Sequence, residues 1–252
     1  MVMENMTDTR NKAPEYLLTC IVLVFSLILF AAGCNAPVIM GEDAFPGKIS
    51  ELPVPDKEMT WLKGGEQSRI TAIIQREAMK MEGLSRRQRL YQAKEYIRKT
   101  FSYDNWYNAT AFQKTADELF QSRVLGGCSD FALVELVFYR ALNIPARMVV
   151  TANVDWLLEY RRSPLSMTEG HCFIEVYLED RWYLVDPTFN WLFSEYRPDS
   201  PYYPHGEYFC SRGRDFWEMG ISSIHDFNRT LRELAGKYQG QYIMPSYLKV
   251  PL

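Results

Sequence analysis

At Pro145 the hydrophobic period of this 252-residue chain changes. Before that point apolar residues recur three and four apart, as on one face of a helix. After it they fall in short runs rich in β-branched and aromatic residues, as in strands. Proline lacks an amide hydrogen and its ring clashes with the preceding turn, so a helix approaching residue 145 must stop. Helices first and strands later constrain the chain to an α+β fold, with helices packed on an antiparallel sheet.

The helical half divides further. Ile70, Ile73, Ile74, Ala78 and Met81 recur at helical spacing within residues 65–81, and a second helix is expected from Ser85, which fits a capping box with Gln88. Leu90, Ala93, Ile97 and Phe101 would then face the core. Residues 111–122, AFQKTADELFQS, offer a short third helix, and a fourth starts at Cys128, directly after Gly126 and Gly127. Beyond Pro145, ARMVVTA, HCFIEVYL and RWYLVDPT read as three strands, followed by loops rich in Pro, Tyr and Gly and a helix over residues 222–237.

The amino end is a different kind of segment. Arg10 and Lys12 precede an uncharged apolar run over residues 16–33, which closes on Ala31-Ala32-Gly33-Cys34. A basic flank, an apolar stretch and small residues are the layout of a secretory signal, and the closing residues resemble a bacterial lipobox. The expected organisation is a lipoprotein signal peptide over residues 1–33, lipidation at Cys34, an extended tether with four prolines over 34–61, and a folded domain over 62–252. An uncleaved anchor is the competing reading. Both place the domain at the cell envelope, on the extracytoplasmic side of the membrane.

With 47% hydrophobic residues the chain can bury a sizeable core, and its net charge of -3 argues against a nucleic-acid partner. Of five cysteines, Cys20 lies in the apolar run and Cys34 is the lipidation candidate, leaving Cys128, Cys172 and Cys210. Three is an odd number, so at least one is a free thiol. A thiol at a helix amino end meets unpaired amides and a partial positive charge, which favour the thiolate. Glycines before it would permit a tight backbone path and a close substrate, with the cysteine amide as an oxyanion donor.

Such a nucleophile needs a base, and the histidines on offer are His171, His205 and His225. If Glu179 and Asp180 make a hairpin turn, Leu178 faces Arg181 and Phe173 faces Asp186, so His171 and Asp186 share a sheet face as diagonal neighbours. His205 and His225 have no evident partner and read as surface or loop residues. No CxxC or His-rich spacing suggests a metal, and Cys128 with His171 alone would supply too few ligands; no cofactor is implied.

GGCSDFALVELVFYRALNIPARMV and GHCFIEVYLEDRWYLVDPT, with Cys, His and Asp in that order, resemble the transglutaminase-like superfamily, a papain-type fold of cysteine acyl-transfer enzymes and peptidases. The resemblance covers residues 85–190. It implies Cys128 as nucleophile, His171 as general base and later acid, and Asp186 as the residue orienting His171. Phe173 stands where the family often has Trp. The implied function is thiol-dependent acyl transfer on peptide or side-chain amides, with hydrolysis as the default and a peptide or protein, such as a cell-wall peptide, as substrate. A non-catalytic binding module and an amine-accepting transglutaminase are the alternatives. Around this core, Asp130 reads as a helix cap, Arg147 as structural, and Cys172 as core, with a disulfide to Cys210 as its alternative. Tyr103 and Trp106 read as core packing, with a second oxyanion donor as the alternative.

Overall fold

The helix after Gly127 is apolar on almost every side because it is surrounded on almost every side. The computed structural model describes residues 53–160, 162–163 and 168–240, without the side chains of residues 106–108. Its helices are α1 Asp56–Met59, α2 Ala72–Met79, α3 Arg86–Thr100, α4 Ala116–Ser122, α5 Cys128–Ala141, α6 Val154–Tyr160 and α7 Ile224–Lys237. Its strands are β1 Ser102–Tyr103, β2 Val124–Leu125, β3 Ala146–Asn153, β4 Gly170–Leu178, β5 Arg181–Asp186, β6 Trp191–Phe193, β7 Tyr202–Tyr203 and β8 Glu207–Gly213. Helices α2, α3 and α4 pack against α5, as do β3 and β4.

The main sheet has six strands in the order β6-β5-β4-β3-β8-β7. Each neighbouring pair is antiparallel. Side chains alternate between its faces. Met148, Val150, Cys172, Ile174, Val176 and Val185 join the large core around α5. Val149, Phe173, Leu184 and Phe193 form a smaller core with Tyr196 and Tyr203. With both faces covered, the central strands are mostly apolar, and their polar residues, such as Arg147, Thr151, His171 and Glu175, are paired.

Local chemistry fixes these elements. Glu179 and Asp180 are both left-handed, with φ of 50° and 62°, which gives the two-residue turn whose twist matches its strands. Leu178 then pairs with Arg181 and Ile174 with Val185, the register expected from the hairpin count. Ser85 and Gln88 complete the capping box of α3, and Thr115 with Glu118 completes another on α4.

Other expectations need correction. Helix α2 begins only at Ala72, because the residues before it are held by distant groups: Gln67 Nε2 donates to the Phe112 and Lys114 carbonyls, and the Ser68 amide to Asp215 Oδ2. The sheet extends beyond the three expected strands through β6, β7 and β8; at three and two residues, β6 and β7 are too short to show a period. Residues 53–61, at the end of the segment expected to be extended, carry α1 and enter a 3-10 turn over Thr60–Leu62. The Trp61 carbonyl accepts from Arg140 Nε at 3.0 Å, which fastens this segment to α5. Residues 1–33, with Cys20, and Cys34 lie outside the described residues. Among the described residues no helix is long and apolar enough to cross a membrane.

Candidate active site

Cys128 is the first residue of α5 and is half-buried. The helix ladder starts after it: the amides of Asp130 and Phe131 both donate to the Gly127 carbonyl at 3.1 Å. The amide of Cys128 is therefore not spent within the helix, and it stands where the helix dipole is positive. The glycines act differently from expectation. Gly127 is fully extended, at φ 175° and ψ −169°, so its backbone makes no tight turn. The buried Asp130 carboxylate reaches back to accept the Gly126 amide at 2.9 Å, tying down the strand that leads into the helix. Burial pushes the Asp130 carboxyl up, and the Gly126 hydrogen bond opposes that.

Parallel pairing of β1 with β2 brings Tyr103 opposite Leu125, alongside this approach. Tyr103 is not core: it is 45% exposed and stacks on Phe131 with ring centroids 6.4 Å apart. The Trp106 side chain lies outside the described residues.

The other two candidates meet across the β4–β5 hairpin. His171 Nε2 lies 3.0 Å from Asp186 Oδ2, the diagonal contact that the register predicts. Asp186 has no exposed surface, and its Oδ1 accepts the amides of Thr188 and Phe189 at 3.0 and 3.1 Å. Burial opposes ionisation of Asp186, but the charge and hydrogen bond of His171, with that of His205, hold it well below the usual carboxylate range. His171 is likewise resisted by burial, yet Asp186 and then Cys128 hold its ring well above the usual imidazole value. With Nε2 donating to Asp186, Nδ1 is the nitrogen left for the sulfur. The neighbouring Cys172 thiol holds the Cys128 thiol well below the usual thiol range; desolvation opposes this, and His171 reinforces it.

Three contributors were not legible in sequence. Cys172 faces α5 as alternation requires, but it lies against Cys128 rather than inert in the core, and contact with Cys128 keeps it protonated. Cys172 and Cys210 are both free thiols, so no disulfide joins them. Glu207 on β8 is 5% exposed and accepts from Thr151 Oγ1 at 2.8 Å, while Thr151 pairs with His171 across β3 and β4. Desolvation pushes the Glu207 carboxyl up to about 7, against the pull of His171. His205, expected to lack a partner, places Nε2 3.1 Å from Asp186 Oδ2. His225 is exposed at the start of α7.

Arg147 has the expected structural role. It forms an ion pair with the fully buried Glu175 and lies over the Trp182 ring, 3.9 Å from its centroid. Among the described residues no group of three or more His, Cys, Asp and Glu side chains could hold a metal ion.

Residues 75–187 match the family model of the transglutaminase-like superfamily. No curated protein matches the chain. Among solved structures, a "Putative Cysteine Protease from Cytophaga hutchinsonii" is similar with a TM-score of 0.50 and 20% identity, over 69% of this chain and 54% of that one. A structure described as "a TGase" overlaps 56% of this chain and 35% of its own, with a TM-score of 0.31 and 15% identity. This chain thus matches about half the length of the first of these proteins, and that likeness is one of fold. The match over residues 75–187 and the likeness of fold support a transglutaminase-like, papain-type α+β core in that part of the chain.

Proposed function

We propose that this chain is a thiol-dependent acyl-transfer enzyme that hydrolyses peptide or side-chain amide bonds, with Cys128, His171 and Asp186 as its catalytic triad. The observation that carries the reading is the contact of His171 Nε2 with a fully buried Asp186 whose oxygens are all engaged, beside a thiol at the start of α5 that His171 helps hold below the usual thiol range. A core cysteine needs neither a lowered thiol pKa nor an oriented imidazole.

The chemistry follows from the geometry. His171 carries the proton of Cys128, leaving a thiolate–imidazolium pair that Asp186 stabilises. The thiolate attacks the amide carbonyl carbon, and the amide of Cys128 stands ready to donate to the developing oxyanion. As the C–N bond breaks, the His171 imidazolium gives its proton to the departing amine, leaving a thioester on Cys128. A water then adds to the thioester while His171 takes its proton. The C–S bond breaks, releasing a carboxylic acid and restoring the thiolate. Water is the abundant acceptor, which favours hydrolysis over transfer to an amine. The signal-like sequence over residues 1–33 and Cys34 is what supports a cell-envelope location for this activity, with a peptide or protein such as a cell-wall peptide as its substrate.

The reading is tested by alkylating the folded protein with iodoacetamide across pH 5–8. Cys128 is expected to react rapidly at pH 5–6, at a rate that an unpaired thiol reaches only near its ordinary pKa. A Cys128 rate that simply tracks free cysteine across this range would overturn it. Trapping an acyl-enzyme from envelope extract and reading the attached fragment by mass spectrometry then identifies the substrate.

A further inference from the structure

We propose that His205 is a positioning residue for the catalytic carboxylate, so that the working unit is Cys128–His171–Asp186–His205 rather than a triad. The inference rests on the triad reading above and adds a residue to it. The two histidines converge on one oxygen: His171 Nε2 and His205 Nε2 lie 3.0 and 3.1 Å from Asp186 Oδ2. Their rings stand 6.3 Å apart at 85°, so they approach that oxygen from different directions. The backbone amides of Thr188 and Phe189 hold only Oδ1. Without His205, the oxygen that faces His171 would have His171 as its sole hydrogen-bond partner among the described residues and could swing with it.

The position of His205 is itself built. It sits in the turn over Pro204–Gly206 that joins β7 to β8, at a left-handed φ of 63°. Trp191 on β6 stacks on its ring at 5.1 Å, Phe189 lies 5.0 Å away, and Phe173 on β4 is parallel to it at 6.4 Å. Two separate segments, residues 189–191 and β4, thus hold an imidazole whose one hydrogen-bonded nitrogen points at the carboxylate. Because an ionised carboxylate only accepts, His205 must donate from Nε2, which fixes its tautomer.

Other titratable groups share this environment. Lys94 on α3 acts on Asp186 by charge, Cys128 and Cys172 lie on the far side of His171, and Glu207 on β8 acts on both His171 and Cys128. None of them is hydrogen-bonded to Oδ2, so a change seen on altering His205 alone can be assigned to the shared oxygen.

The experiment measures the iodoacetamide rate at Cys128 against pH for the wild type, His205→Ala and His205→Gln, with circular dichroism as the folding control. Loss of the donor in His205→Ala is expected to move the acidic limb of the profile up by about one pH unit, a roughly tenfold loss of rate at pH 5. Gln restores a donor of similar reach, so His205→Gln should recover part of that loss. A His205→Ala profile that superimposes on the wild type would overturn the proposal while leaving Cys128 active. A wild type whose Cys128 behaves as an ordinary thiol would instead overturn the triad reading itself. Should His205→Ala fail to fold, 15N NMR of the wild-type histidines decides: His205 is expected as the Nε2–H tautomer, and a Nδ1–H tautomer would overturn the proposal.

Discussion

Two carboxylates with no exposed surface, Glu175 in the middle of the sheet and Asp186 at its end, solve the same physical problem with different partners. Glu175 is gripped by ions that never lose their charge: Arg147 pairs with one oxygen, and Arg212 Nη2 lies 2.6 Å from the other. Hydrogen bonds from the Tyr196 and Tyr203 hydroxyls complete its shell. Asp186 is held by two histidines and two backbone amides. Guanidinium partners hold a proton across the whole physiological range, whereas imidazole partners exchange one. The sheet therefore carries a permanent electrostatic lock at its centre and, at its end, the carboxylate of the proposed triad, whose partners can exchange a proton.

Swapping the two carboxylates for their amides tests that division. The largest effect is expected for Glu175→Gln, which leaves Arg147 and Arg212 without their anion. Breaking a buried ion pair costs about 3–5 kcal/mol, read by urea denaturation, while Cys128 alkylation per folded molecule should hardly change. Asp186→Asn should do the reverse: hydrolysis of p-nitrophenyl acetate should fall by about a hundredfold while the urea midpoint moves far less than in Glu175→Gln. Equal stability losses in the two variants would erase the distinction.

Glu207 provides a smaller, pH-resolved test. Its carboxyl is raised from an ordinary 4.5 to about 7, so the fold favours the protonated form. The stability this contributes is fully present below pH 4.5 and is lost as pH rises through 7. Glu207→Gln removes that dependence, and the stability gap between variant and wild type should move in the variant's favour by about 3 kcal/mol between pH 4.5 and 8. A gap that does not change with pH would mean that Glu207 titrates alike in the folded and the unfolded chain. The smallest effect is expected from Cys172→Ala. Because the neighbouring Cys172 thiol helps hold the Cys128 thiol below its usual range, its loss should move the alkylation midpoint upward by about half a pH unit.

The parts of this arrangement that were legible in sequence are those encoded by neighbours. The capping box at Ser85 lies within four residues, and the Glu179-Asp180 turn sets the hairpin register that joins His171 to Asp186. The α5 boundary at Cys128 follows from a glycine pair and an apolar run. His205 escaped because its partner lies 19 residues away and the intervening β6 and β7 are too short to announce a sheet. The one available hint was a histidine between Pro204 and Gly206, in a turn whose neighbours are aromatic. Cys172 escaped for another reason: alternation gives its face, but only tertiary packing shows that the start of α5 lies against that face.

Arg140 carries one last consequence, for anyone who would produce this domain. Its guanidinium, almost wholly buried, gathers the carbonyls of Trp61, Ala146 and Arg214 and the Ser68 hydroxyl around the middle of the molecule. Residue 61 is thus part of the folding unit rather than its leash. A recombinant fragment cut at residue 62 would leave one guanidinium bond open and uncover the Arg147 guanidinium, which lies 5.4 Å from the Trp61 ring. The safe starting point for expression lies upstream of α1.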